Sequence, residues 1–294
     1  MMFRNLLVPI TGGPADAAVF ATARLAAEAF AAHMEFLHVR VDTSEVLMSM
    51  TAGGVGGGDA VQAVIDRMDA EAEARAQAAA HSTAERLAAA GIALCEAPNG
   101  QGAASPLGAT AEISQQTGSQ SAWVAQYGRF ADLVVMGRAS AEEGGAETLE
   151  AALMDTGKPL LIAPAAAPAT LGRRVVIAWK DTPEAARAVS CALPFIGRAE
   201  QVTIITVLDE GEAKDASAAS LRRALRWHNP AVELRLLPRG SASPVELLHR
   251  EAMARGADLL VMGGYSHSRL REVVFGGFTR STLGDAAIPV LMAH

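Results

Sequence analysis

Near its carboxyl end the chain reads "GGYSHSRLREVVFGGFTRSTLG", residues 263–284, and the residue types there suit the holding of an anion. A helix opening after the second glycine pair offers free backbone N–H groups and the positive end of its dipole. Gly276 and Gly277 let phosphate oxygens reach that backbone with no Cβ in the way, and Thr279 adds a hydroxyl one turn in. Gly263 and Gly264 let the chain leave a preceding strand sharply. The same four glycines also suit tight turns, and the residues alone leave both readings open. Arg269 and Arg271 could clamp phosphate, while Arg271 with Glu272 equally makes a solvated charged face. Tyr265, Ser266, His267 and Ser268 invite a nucleophile-and-base reading. It lacks a carboxylate spaced to orient the histidine, and no GxSxG elbow precedes a helix. The seven histidines form no HExxH or close pair, and there is no GxxxxGK[ST] or well-placed GxGxxG, so metal, P-loop and dinucleotide chemistry are not expected.

The elements that must position this loop occur twice. Each half opens on an apolar run of strand length, "NLLVPI" (Asn5 to Ile10) and "RVVIAW" (Arg174 to Trp179), suited to the centre of a parallel sheet covered on both faces. Alanine-rich helices follow, Ala15 to Ala32 and Pro183 to Phe195, then strands "MEFLHVRV" and "QVTIITVL". Helices over Asp59 to Ala90, ended by Gly91, and over Ala213 to His228 lead to third strands "IALCEA" and "AVELRLL". Ser105-Pro106 and Ser243-Pro244 read as caps followed by first-turn prolines. "ADLVVMG" and "ADLLVMG" then match almost letter for letter, and "KPLLIAP" and "IPVLMAH" close the halves with proline at the start of a last strand. Alternation of strand and helix predicts two tandem, doubly wound, five-stranded parallel sheets with right-handed crossovers. The expected domains are 1–164 and 173–294, joined by a Pro/Ala linker over 165–172. The last strands, Leu160 to Ala163 and Val290 to Ala293, would leave apolar edges bare, a liability that proteins usually cover. The glycine-rich stretch Gly53 to Gly58 reads as a mobile surface connection.

At 294 residues the chain has room for about two domains, and half of its residues are hydrophobic, a globular proportion. The net charge of −7, with no basic run longer than Arg173-Arg174 or Arg222-Arg223, argues against nucleic acid as a partner. Cys95 and Cys191 form neither a CxxC nor a disulfide framework, which points to a reducing, cytoplasmic setting. The amino terminus shows no signal-peptide pattern, and no apolar run approaches the ~20 residues that span a bilayer, so no membrane is expected.

The order "VMGGYSHSRLREVVFGGFTRSTLGDAAIPVLMAH" resembles the carboxyl-terminal signature of universal stress proteins, and the resemblance extends over both copies as in the tandem, two-domain form of that family. It implies an adenine-nucleotide-hydrolase-like fold with strand order 3-2-1-4-5 in each copy, the last strands of the two copies paired through Leu160 to Ala163 and Val290 to Ala293, and whole chains forming homodimers. It also implies a stress-response protein that binds ATP, with accompanying Mg2+, through a Gly-x2-Gly-x9-Gly-(Ser/Thr) loop. Here Gly263 fits the first glycine, Ser266 replaces the second, Gly276 fits the third, and Gly277 stands where Ser or Thr is usual. Lys180 and Thr11 stand where nucleotide-binding members carry an aspartate after the first strand. The expected ligand positions in the second copy are therefore Gly263, Ser266, Gly276, Gly277, Thr279 and Lys180. The first copy is four residues shorter between Gly137 and Pro159 than the second is between Gly263 and Pro289, carries Glu142 and Glu143, and puts Ala146 and Glu147 in place of the glycine pair. It reads as a scaffold with a degenerate loop. The alternative for the whole chain is an interaction or signalling scaffold that binds no nucleotide. With no general base evident on the loops, activity is expected to be absent or at most a slow ATP hydrolysis.

Overall fold

The computed structural model describes residues 2–42, 58–95, 108–138, 145–208, 215–240, 243–264 and 288–294. In the first half, the apolar run Asn5–Ile10 forms strand β1, followed by helix α1 (Asp16–Phe30), β2 (His33–Arg40) and the long helix α2 (Gly58–Ala89). Then come β3 (Ala93–Leu94), β4 (Thr110–Thr117), α3 (Gln120–Gly128), β5 (Leu133–Met136), α4 (Gly145–Met154) and β6 (Leu160–Ile162). The second half runs β7 (Arg174–Ala178), α5 (Pro183–Ile196), β8 (Gln201–Leu208), α6 (Ala216–Leu225), β9 (Val232–Pro238), α7 (Pro244–Ala254), β10 (Leu259–Gly263) and β11 (Val290–Ala293).

The described strands form one sheet in the order β3-β4-β2-β1-β5-β6-β11-β10-β7-β8-β9. Each half shows the predicted 3-2-1-4-5 order, β4-β2-β1-β5-β6 and β9-β8-β7-β10-β11, and within each half all pairs are parallel. The two last strands meet as expected, antiparallel, with Ile162 opposite Val290, Leu161 opposite Leu291 and Leu160 opposite Met292. Pro159 and Pro289 precede these strands and lack an N–H, yet their carbonyls accept from Val134 at 3.1 Å and Leu260 at 3.0 Å. Because β6 and β11 run in opposite senses, the carboxyl ends of the two halves' strands point in opposite directions.

The third strand of the first half departs from expectation. "IALCEA" supplies only Ala93–Leu94, at the outer margin, and the third-strand place is taken by "TAEISQQT", so this half has six described strands. The helix expected from Ser105-Pro106 does not fill this stretch. Residues 110–117 are extended, and the helix begins one turn later, where Ser119 accepts from the Ala122 N–H at 3.3 Å. Ser105, Pro106 and Gly53 to Gly57 lie outside the described residues, and Gly58 opens α2. In the second half the reading holds, with Ser243 and Glu246 making a reciprocal cap and Pro244 in the first turn of α7. Gly91 follows α2 at φ +68°, as its predicted terminating role requires.

Helices lie on both faces. One core gathers α1, α2, α5 and α6 over one face and the other gathers α3, α4 and α7 over the opposite face, and each is continuous across the two halves. Alanines 23, 26 and 27 of α1 are fully buried, so small side chains let the helix approach the sheet closely. The repeated "AD" explains itself here. Asp132 accepts from the Arg4 and Asn5 N–H groups at 2.8 and 3.1 Å, and Asp258 from those of Arg173 and Arg174 at 3.1 and 2.8 Å, closing the open start of each central strand. Between the halves, Phe3, Phe30 and Phe195 form a triangle with ring centroids 5.3, 5.6 and 4.9 Å apart. Gly172 (φ +74°) lies so near that a Cβ there would come within 2.7 Å of the Phe195 ring. Phe30→Ala should therefore cost about 3–5 kcal/mol in urea unfolding and loosen both halves in a single transition. An intact midpoint would show that the triangle adds nothing to their union.

Candidate functional site

In an open parallel sheet, ligands gather beyond the strand carboxyl ends where strand order reverses, here after β1 and β5 in the first half and after β7 and β10 in the second. The two places are built differently.

In the first half the place is filled by the chain itself. Asp16, at the start of α1, is buried, and its carboxylate accepts from the Thr11 N–H at 3.2 Å, the Thr11 hydroxyl at 3.2 Å and the Gly12 N–H at 2.7 Å. A carboxylate thus already sits where loop N–H groups converge. Gly12 adopts φ +79°, and a Cβ on it would lie 3.0 Å from Arg75 Cγ and 3.2 Å from the Arg75 carbonyl, so α2 closes directly over the loop. Beneath lies buried His38, whose Nδ1 is 3.1 Å from the Ile10 carbonyl. Burial holds the His38 pKa below its ordinary value, Arg75 and Arg40 add to this, and the Ile10 carbonyl and Asp16 oppose it. Arg40 in turn pairs with Glu73 of α2. After β5, Arg138 stands where the second half has Gly264, and Glu147, in the first turn of α4, accepts from the Ser121 hydroxyl at 2.8 Å. Sequence reasoning missed Asp16 and His38. An aspartate five residues after a threonine followed by two glycines is a faint sign, and a histidine inside an apolar strand is no sign of its partner.

In the second half a shallow cleft is lined by Ala178, Lys180, Thr182, Glu184, Ala185, Gly263 and Gly264. Of the predicted positions, Lys180 and Gly263 meet here, Lys180 exposed and Gly263 buried. Ser266, Gly276, Gly277 and Thr279 lie outside the described residues, as do Tyr265, His267, Arg269, Arg271, Glu142 and Glu143. Gly263 has a packing reason to be glycine. A Cβ there would stand 2.6 Å from the Ala185 nitrogen and 3.0 Å from its Cα, so the strand end presses on the first turn of α5. A Cβ on Gly264 would lie 3.3 Å from the Ala293 carbonyl and 3.3 Å from Leu153 of α4, which makes the first half a wall of this region.

The start of α5 is capped by Thr182, whose hydroxyl accepts from the Ala185 N–H at 3.3 Å. Hydrogen bonds from its own backbone N–H and from Thr182 keep the Glu184 carboxyl below its ordinary pKa, with His294 and Arg187 adding to the effect. That carboxylate already complements the helix dipole. Arg187 donates to the His294 backbone oxygen, tying α5 to the end of β11. Below the cleft, the Trp179 indole N–H donates to Ser217 at 3.0 Å, and Ser217 donates to Asp215, the cap of α6, at 2.6 Å.

A separate polar patch lies on the β2–β4 face. Glu35 sits directly across from Glu112, His33 Nε2 is 3.6 Å from Glu112, and the Ser114 hydroxyl donates to Glu35 at 3.2 Å. Burial first, then the facing Glu112, raises the Glu35 pKa against the opposing pull of Ser114.

Residues 172–294 match the model of the Universal stress protein family. The whole chain superposes on a universal stress protein from Archaeoglobus fulgidus with a TM-score of 0.70 at 17% identity, covering 99% of this chain and 97% of that one. A Pseudomonas aeruginosa protein provisionally named a universal stress protein (TM-score 0.52, 14% identity, 99% and 93% covered) and a functionally unknown protein from the same species (0.53, 13%, 99% and 92%) also match. At these identities the likeness is one of fold. No curated protein matches the chain.

Two outcomes follow from this geometry. Gly263→Ala should lower stability by about 1–3 kcal/mol, because the added methyl meets rigid backbone, whereas Gly137→Ala, whose methyl would meet side chains alone, Val19 at 3.2 Å and Ala15 at 3.9 Å, should cost less; chemical denaturation of the pair decides it. Glu35→Gln should raise the melting temperature at neutral pH. Its raised folded pKa means that the ionised form costs stability, a cost relieved as pH falls to the ordinary carboxylate range, where the two proteins should melt alike. Equal melting at neutral pH would refute that assignment.

Proposed function

Since residues 172–294 match the universal stress protein family model and the chain resembles a universal stress protein in fold along its length, we propose that it is a stress-response protein that binds a phosphate-bearing nucleotide, ATP with Mg2+ being the first candidate, in its second half. In this reading residues 1–164 are a scaffold domain, 165–172 a linker and 173–294 the ligand domain, the chain works in the cytoplasm as a homodimer, and it has no activity beyond at most a slow ATP hydrolysis. No described helix is long and apolar enough to cross a membrane.

The observation that carries the reading is the difference between the two halves. After β1 the loop N–H groups are spent on Asp16 and the loop is closed by Arg75, whereas after β7 Lys180 is exposed beside the Gly263–Gly264 strand end. Lys180 brings positive charge where the family's aspartate would select a base, so phosphate outweighs base identity. Gly276, Gly277, Ser266 and Thr279 are proposed to complete the anion site.

One observation favours the scaffold reading. Glu184 brings a carboxylate to the wall of the same cleft, which repels a phosphate placed against α5.

Titration calorimetry and thermal shift with ATP, GTP and AMP separate the two. The nucleotide reading expects ATP and GTP to bind about equally, with stabilisation of ~2.7 kcal/mol at a hundred times the dissociation constant. Gly277→Val should abolish this, Lys180→Ala should weaken it roughly tenfold through loss of a charge-assisted contact, and Glu147→Gly should leave it unchanged. No shift with any nucleotide supports the scaffold, and a strong preference for adenine contradicts the role given to Lys180.

A further inference from the structure

Strand β9 closes one side of the sheet, with β8 on its inner side and no other described strand on its outer side. Two hydrogen bonds fix its phase. The Val202 N–H donates to the Ala231 carbonyl at 2.9 Å, and the Arg239 N–H to that of Leu208 at 3.2 Å. Backbone groups in a parallel ladder face the same neighbour at every second residue. Ala231, Glu233, Arg235 and Leu237 therefore turn theirs toward β8, and Val232, Leu234 and Leu236 turn theirs outward. Pro230 and Pro238 share the outward phase and have no N–H to offer, so they bracket this three-residue template.

We propose that this edge pairs, antiparallel, with β9 of a second copy of the chain about a twofold axis through Leu234. In that register Leu234 faces Leu234 of the second copy, and Val232 faces its Leu236. Every outward N–H and carbonyl of the three residues finds a partner, and the prolines oppose each other where the ladder stops. Between these positions lie the non-hydrogen-bonded sites, where side chains come closest. There Glu233 meets Arg235 of the second copy, and by symmetry the same pair forms twice.

Charge selects this register. Sliding the strands by two residues one way sets Glu233 against Glu233, and the other way Arg235 against Arg235, both unfavourable directly across a ladder. Glu233 is 52% exposed in its side chain and lies 3.8 Å from Arg255, so pairing places its carboxylate between two guanidinium groups. On the opposite face, partly buried Leu234 and Leu236 gain apolar neighbours. At the far side of the sheet, β3 already covers the start of β4 at Thr110 and Ala111.

Sedimentation velocity of the full chain over a wide concentration range tests this, with circular dichroism melts to show that each variant is folded. The native chain should dimerise. Glu233→Arg and Arg235→Glu should each raise the dissociation constant roughly tenfold by opposing like charges twice, and the double variant Glu233→Arg/Arg235→Glu should restore it. If a reversal unfolds the chain, Glu233→Gln and Arg235→Gln take its place and should each weaken the dimer with unchanged melting. A monomer at all concentrations, a dimer indifferent to the single changes, or a double variant no tighter than the singles would overturn the proposal.

Discussion

Two short strands that follow a proline and carry only apolar residues, β6 and β11, would each leave a bare edge if their halves stood apart. Their antiparallel pairing removes both edges together, and much else depends on it. It sets the two halves in opposite senses, makes both helical layers continuous, and brings Phe3, Phe30 and Phe195 together over the join. It also places Leu153 of the first half within reach of Gly264 in the second, so one half's packing helps to shape the other half's ligand region.

A duplicated fold held this way can let one copy lose a pocket while keeping every structural device. The Asp132 and Asp258 clamps on the central strands are equivalent in both halves, since an unpaired strand start is costly wherever it occurs. The switch points have no such constraint. One is occupied by Asp16 under a lid made by α2, and the other keeps its lysine and its glycines. Gly263 shows that a glycine in a ligand-loop pattern also answers to packing, since it is held between a strand end and the backbone of a helix start.

Most of the architecture was legible because it rests on patterns that repeat: apolar runs bounded by Pro and Gly, a cap such as Ser243 followed by Pro244, and the matched "ADL" strands. The third strand of the first half was not. "TAEISQQT" is apolar only at Ala111 and Ile113, its strand forms beside β2 through backbone bonds that no side-chain pattern reports, and the Ser105-Pro106 cap signal pointed to a helix instead. Lys180 and Gly263 were found from spacing. Asp16 was missed because an acidic residue in a first helical turn ordinarily serves the dipole, and nothing in the sequence says that it turns back onto Thr11 and Gly12.

The unbroken sheet and the aromatic triangle across its middle leave the described halves without a hinge. A clamshell movement would have to tear ladder bonds between β6 and β11 and expose the rings of Phe30 and Phe195 to water. Among the described residues, then, the two halves move as one body. The body acts as a single plate with two rims of strand carboxyl ends that face opposite ways, and the reach of Leu153 to Gly264 ties what happens at the second rim to the packing of the first half.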